Sequence, residues 1–232
     1  MTTPSKSGEA KSVASGSGIV KLLAGWITLP LFFLASGGSL MWWQAWVYCA
    51  VLLVPMTIFV VYMMRRDPQF LARRLKVREA DKTQRRIQLW GSPISFAMLI
   101  LPGIDYRLGW SSPPLALQII AMVFALLGYL AVLRVFIENR WAGRTIETYA
   151  EQKVITTGPY AVVRHPMYAA TLLLFLATPV ALGSWWALLP GILLIPMFGL
   201  RIRGEEAVLL RDLPDYADYR RKVRYRIVPY VW

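Results

Sequence analysis

Six apolar stretches, each close to the length that crosses a bilayer, alternate with blocks of Lys and Arg along this chain. A hydrocarbon core takes about 17–25 residues of helix to cross. Inside it every backbone N–H and C=O must be paired within the protein, which leaves helices or closed barrels as the only spanning structures. The runs here are continuous, without the short alternating segments of a barrel. Charged residues are 17% of the chain, against about 25% for a soluble domain, and they are clustered. The reading is an all-α, polytopic membrane helix bundle of about six spans.

Residues 1–18 are rich in Ser, Gly, Lys and Thr. They carry too little apolar surface to order themselves and read as a disordered tail. Span one is expected over Ile19–Ser36, as a first span or signal anchor, and Gly37-Gly38-Ser39 as a turn. Span two covers Leu40–Met64, with Trp42, Trp43 and Trp46 placed as an interfacial aromatic belt. Residues 65–88 hold nine Lys or Arg. There Leu71 and Leu75 share a face that suits either a surface helix or a solvated basic loop. Span three, Leu89–Ile104, is short and carries Pro93 and Pro102; a loop Asp105–Pro113 and span four, Pro114–Ile137, follow. Residues 138–232 form a second region: a polar stretch to 166, spans five (Met167–Leu182) and six (Trp185–Leu200), and a basic tail. Gly183-Ser184 is so short a link that spans five and six must form an antiparallel hairpin.

Of the 26 Lys and Arg, all but Arg107 fall on one side of this arrangement. The positive-inside rule makes that side cytoplasmic, with both termini there. The compact size and short turns suit a bacterial inner membrane, or the endoplasmic reticulum in a eukaryote. Topology thus explains the net charge of +13, and a nucleic-acid partner is not needed. The single cysteine, Cys49, forbids an intrachain disulfide and any cysteine cluster. One histidine excludes a His-rich metal site.

That histidine stands in Gly158-Pro159-Tyr160-Ala161-Val162-Val163-Arg164-His165-Pro166-Met167-Tyr168, directly before the hairpin. Beyond the hairpin comes Arg201-Ile202-Arg203-Gly204-Glu205-Glu206. If the hairpin closes, the imidazole and the carboxylate pair meet at one depth. Each residue has a plain alternative taken alone: a hydrogen-bonding His at an interface, belt tyrosines, a solvated helix end, an Arg201–Glu205 pair four residues apart.

Together the motifs GPYxxxRHPxY, RxxxEExxL and YxxYxxxVxxRxxP resemble the isoprenylcysteine carboxyl methyltransferase family, part of a wider membrane group that includes phospholipid N-methyltransferases. The matching positions are Gly158, Tyr160, Arg164, His165, Pro166 and Tyr168, then Arg201, Glu205, Glu206 and Leu209, then Tyr216, Tyr219, Val223, Arg226 and Pro229. The resemblance spans about 145 to 230; the first four spans share only hydrophobicity. It implies a site for S-adenosyl-L-methionine lined by Gln152, Lys153, Val154 and Ile155, by Tyr160, by His165, Pro166, Met167 and Tyr168, and by Glu205. Relatives often have a His where this chain has Gln152. Arg201 matches an arginine at the substrate end and is the candidate catalytic residue.

Methyl transfer from a sulfonium needs orientation more than covalent help. A carboxylate acceptor needs no base, and an arginine can hold it with two parallel hydrogen bonds. An amine would need a base such as His165 or a glutamate. This chemistry favours a carboxylate acceptor, and the resemblance implies that it is borne by an isoprenylcysteine-like, prenylated or other lipid-like molecule that arrives from the bilayer. Lipid amine N-methylation, or a transporter or sensor without catalysis, are the alternatives.

Overall fold

The computed structural model describes residues 6–67, 70, 82–141 and 152–232. Seven helices are present among them: α1 (Lys6–Gly37), α2 (Trp43–Arg66), α3 (Lys82–Leu108), α4 (Leu115–Glu138), α5 (Pro166–Ala181), α6 (Leu188–Asp212) and α7 (Tyr216–Lys222). The protein is a membrane helix bundle. Helix α2, α3 from Arg85 onward, and α4 are each long and apolar enough to cross a membrane. Leu22–Gly37 of α1 and the whole of α5 are shorter apolar helices. Leu117, Ile120, Phe124 and Leu127 of α4 are among many large apolar side chains left exposed, as suits a surface that meets lipid rather than water.

The helices neighbour one another in a ring, α1–α2–α4–α5–α6–α3 and back to α1. Small residues set the closest approach, as is usual where lipid removes the hydrophobic drive between helices. A Cβ on Gly128 of α4 would lie 2.8 Å from the Leu174 backbone nitrogen and 3.0 Å from the Ala170 carbonyl oxygen of α5. A Cβ on Gly103 of α3 would fall 2.2 Å from Ser36 Oγ of α1. The main core joins α1, α2, α4 and α5 through Phe33, Trp42, Tyr48, Leu53, Ala125, Leu174 and Leu182. The Tyr48 hydroxyl and Thr178 Oγ1 are 2.6 Å apart in it.

The hairpin of α5 and α6 is present, turned at Gly183 with φ +86°. Its arms are splayed: α5 packs far more extensively on α4 than on α6, and α6 leans on α3. That splay opens the space in which the candidate site lies.

Four expectations change. Helix α1 begins at Lys6, so residues 6–18 are helical rather than disordered; no proline interrupts them, and extending an existing helix adds a hydrogen bond per residue. Trp42 is buried, not a belt residue: its indole N–H donates to the Leu182 carbonyl at 3.2 Å, and its ring stacks on Tyr106. Helix α3 runs from Lys82 through Leu108, with Pro93 and Pro102 both inside it. Helix α6 continues twelve residues past Leu200, which makes Arg201, Glu205 and Glu206 helical. The proposed surface face of Leu71 and Leu75 lies outside the described residues.

Candidate active site

Gly158–Ala161 forms a single 3₁₀ turn. Gly158 has φ +57°, a conformation that favours glycine, and it lies against the Glu138 carboxylate at the end of α4. The turn presents Tyr160 between two elements. Asn139 Nδ2 donates to the Tyr160 hydroxyl at 2.8 Å, and the Tyr219 hydroxyl of α7 donates to the Tyr160 carbonyl at 2.7 Å.

The next residues are tied down by the tail. The backbone N–H of Arg164 donates to the Tyr225 carbonyl at 2.9 Å, and that of His165 to the Arg226 carbonyl at 2.8 Å. His165 then caps α5, its own carbonyl accepting from the N–H groups of Tyr168 and Ala169. Pro166 takes the first helical position, where its missing N–H costs nothing.

Glu205 and Glu206 follow each other on α6, so their side chains diverge by about 100°. The Glu205 carboxylate accepts from the Tyr168 hydroxyl at 2.8 Å. Glu206 is buried and points the other way. It accepts from Arg164 Nε at 2.8 Å, and from Arg226 Nε and Nη2 at 3.0 and 2.9 Å. His165 Nε2 stands 3.3 Å from it; a carboxylate only accepts, so the ring presents Nε2–H to it. Burial would push the Glu206 carboxyl up, but the hydrogen bonds from His165, Arg226 and Arg164 prevail and hold it well below the usual carboxylate range. Arg164 also donates to the carbonyls of Val223 and Arg224. One carboxylate thus joins the start of α5, the end of α6 and the tail.

On the Glu205 side lies a cavity of about 640 Å³ between α3, α5, α6, α7 and the 152–160 segment. Gln152, Lys153, Val154, Ile155, Tyr160, His165, Met167, Tyr168, Arg201 and Glu205 all line it. Arg201 stands beside Tyr168. Pro166 does not belong with them: it is buried in the first turn of α5, outside the lining, because its ring packs where the helix starts.

The sequence reading missed the wall given by α3: Ile87, Gln88, Gly91, Ser92, Ser95, Phe96 and Leu99. Gly91, Ser92 and Ser95 stand out in an apolar span, but nothing local to them says that this stretch meets α6. Tyr216 and Tyr219, quoted earlier only as motif positions, line the cavity as well. Burial raises both phenols far above their ordinary value, so both stay protonated. The Tyr219 hydroxyl has its partner in Tyr160. The Tyr216 hydroxyl is buried and has no hydrogen-bond partner among the described residues.

The cavity therefore has two characters. Near the tail it is polar and aromatic; between α3 and α6 it is apolar, with Phe96, Leu99, Phe175, Leu194, Met197 and Phe198. Its size falls within the range of about 300–1,000 Å³ typical of small-molecule sites.

The chain is 26% identical over 145 residues to the nickel-cobalt-cadmium resistance protein NccN of Alcaligenes xylosoxydans xylosoxydans, covering 60% of this chain and 63% of that one. It is 27% identical over 151 residues to the cobalt-zinc-cadmium resistance protein CzcN of Cupriavidus metallidurans, covering 60% and 62%. The match thus spans under two thirds of either relative. Residues 117–213 match the phospholipid methyltransferase family. That stretch, less than half of the chain, runs from α4 through α6 and includes the motif that caps α5.

Proposed function

We propose that this protein transfers a methyl group from S-adenosyl-L-methionine to a lipid-like carboxylate held at the membrane's cytoplasmic face. The observation that carries the reading is the single cavity shared by the motif residues on one wall and apolar side chains of α3 and α6 on the other. The residues suit the donor. Glu205 offers a carboxylate for ribose hydroxyls or a cationic group, and Lys153 and Gln152 offer donors.

When bound, S-adenosyl-L-methionine supplies a methyl on a cationic sulfur that departs as a neutral thioether. Arg201 orients an acceptor carboxylate by paired N–H donors. Tyr168, donating to Glu205, fixes that carboxylate in place. The Glu206 network holds His165 and Tyr168 at the start of α5, so the wall is preorganised before any ligand arrives. The apolar wall between α3 and α6 takes the acceptor's hydrocarbon. Lipid enters from the bilayer and the donor from the cytosol, with both termini cytoplasmic.

A second reading is favoured by the family description itself, phospholipid methyltransferase: the acceptor is a lipid amine and Glu205 accepts its proton. Metal resistance belongs to the two relatives by name. The ionisable side chains of the cavity wall are arginines, one Lys, tyrosines, one Glu and one His, a set without the grouped His, Cys or carboxylates that a transition metal takes. The test is to incubate the protein in liposomes with methyl-labelled donor and a lipid extract, then treat the lipids with alkali. Label released by alkali is the expected methyl ester. Label that survives in a headgroup means N-methylation, and label found only on water-soluble acceptors would overturn the lipid reading.

A further inference from the structure

Helix α6 carries the chain out of the membrane, and the tail brings it back. The apolar part of α6 stops at Leu200, and the helix runs on to Asp212, about 18 Å farther at 1.5 Å per residue. After α7 the tail returns: the Trp232 ring lies 3.8 Å from where a Cβ on Gly199 would stand. Gly199 and the exposed Leu200 belong to the last apolar turn of α6. Trp232 and the turn before it therefore lie near the level where hydrocarbon gives way to lipid headgroups.

That turn is built to project. The Val231 N–H donates to the Val228 carbonyl at 3.2 Å, with Pro229 and Tyr230 between them. Tyr230 has φ +64°, the one non-glycine with positive φ among the described residues. The third position of a turn takes such a φ most cheaply with Gly or Asn, and a bulky residue there is an outlier. Here it carries a Tyr that is 89% exposed, beside a Val231 that is 78% exposed. The base is firmly held. The Trp232 main-chain oxygen accepts from the N–H groups of Arg226, Ile227 and Val228, and the Arg226 guanidinium lies over the Trp232 ring at 4.9 Å. On the chain leading into the turn, Arg220, Lys222 and Arg224 are exposed.

We propose that the Val228–Val231 turn is an interfacial anchor, which seats Tyr230 and Val231 in the headgroup layer of the cytoplasmic leaflet while the neighbouring cations meet anionic lipid. A tyrosine sets its ring toward acyl chains and its hydroxyl among headgroups, and Lys and Arg at this level are drawn to anionic lipid. The seating bears on the site, because the same tail holds the Arg164 and His165 N–H groups and sets Arg226 on Glu206. The inference needs the membrane bundle and not the methyl-donor reading.

The test is spin labelling in lipid nanodiscs, either phosphatidylcholine alone or mixed with phosphatidylglycerol. The buried Cys49 is replaced by alanine, and one cysteine is placed by Tyr230→Cys, by Val231→Cys or, as the reference in water, by Asp215→Cys at an exposed site. Collisions with oxygen, which concentrates in the bilayer, are compared with collisions with a neutral, water-soluble nickel chelate. In the mixed discs the labels at 230 and 231 should favour oxygen severalfold more than the label at 215. In phosphatidylcholine alone, or with Arg220→Gln, Lys222→Gln and Arg224→Gln combined, they should shift toward the reference. Labels at 230 and 231 as open to the chelate as the reference would put the turn in water and overturn the inference. Shielding from both reagents would mean that protein covers the turn, and would overturn it too. So would a depth that ignores both the lipid charge and the three cations.

Discussion

The bundle buries carboxylates at both of its ends, and the cavity described above lies at one of them. At the end away from the basic segments, Asp105 of α3 is fully buried. It accepts from the Ser111 N–H at 2.8 Å and from the hydroxyls of Ser111 and Ser184. This latch ties the α3–α4 connection to the turn between α5 and α6. At the other end Glu206 plays the same part for Arg164, His165 and Arg226. What differs is the neighbour. Beside Glu206 stands Glu205, which lines a cavity with Arg201 and Lys153. A buried polar group with all its partners inside the protein reports a structural joint. Polar groups that line open volume are placed to meet a ligand.

This comparison can be broken in several ways. The largest effect should come from Glu206→Ala, which strands buried Arg164 and half-buried Arg226. Removing one member of a buried charge network costs about 3–5 kcal/mol, so the variant should melt well below wild type in detergent. A near-normal melting temperature would mean that Glu206 is not the joint described. Arg201→Ala should leave donor affinity and melting temperature close to wild type. Turnover should fall about a hundredfold or more, the scale of losing one oriented charged donor at a reacting centre. Equal loss of binding and turnover would contradict that division.

Asp105→Ala should sharpen the contrast from the other end. It leaves hydroxyls of Ser111 and Ser184 without their acceptor, at a cost of about 1–3 kcal/mol. Donor binding to the folded variant should be unchanged, because the latch is at the far end of the bundle. The smallest effect concerns pH. The Glu206 carboxyl is held below its unfolded value, so its stabilisation is complete above about pH 4.3, the ordinary glutamate value. It erodes as the pH falls toward the lower folded value. Acid titration of Glu206→Gln beside wild type should show a variant that starts less stable and loses less on acidification. Parallel curves would assign the acid sensitivity elsewhere.

Much of this was legible in the sequence, and what was not has physical causes. The apolar runs gave the spans because helical length and bilayer thickness are tied. The two-residue link gave the hairpin, and so the meeting of His165 with the carboxylates. Span ends were less legible: nothing in Arg201–Asp212 stops a helix, so α6 continues into the polar region. Trp42 looks like a belt residue by type, but its place is decided by Phe33, Tyr106 and Leu182, all distant in sequence. The α3 wall of the cavity was hidden for the same reason. Gly91 and Ser95 become site residues only because α6 leans on α3, and no local pattern encodes that contact. The division of labour between Glu205 and Glu206 needed the helix phase relative to α5 and the tail.

The central claim is that the cavity beside Glu205 is a methyl-donor site. It is tested most directly by titrating the detergent-purified protein with S-adenosyl-L-methionine and S-adenosylhomocysteine, wild type beside Glu205→Ala. The account predicts saturable binding of both by wild type and its loss in a variant that still melts cooperatively. Failure of folded wild-type protein to bind either ligand, or undiminished binding by Glu205→Ala, would contradict it.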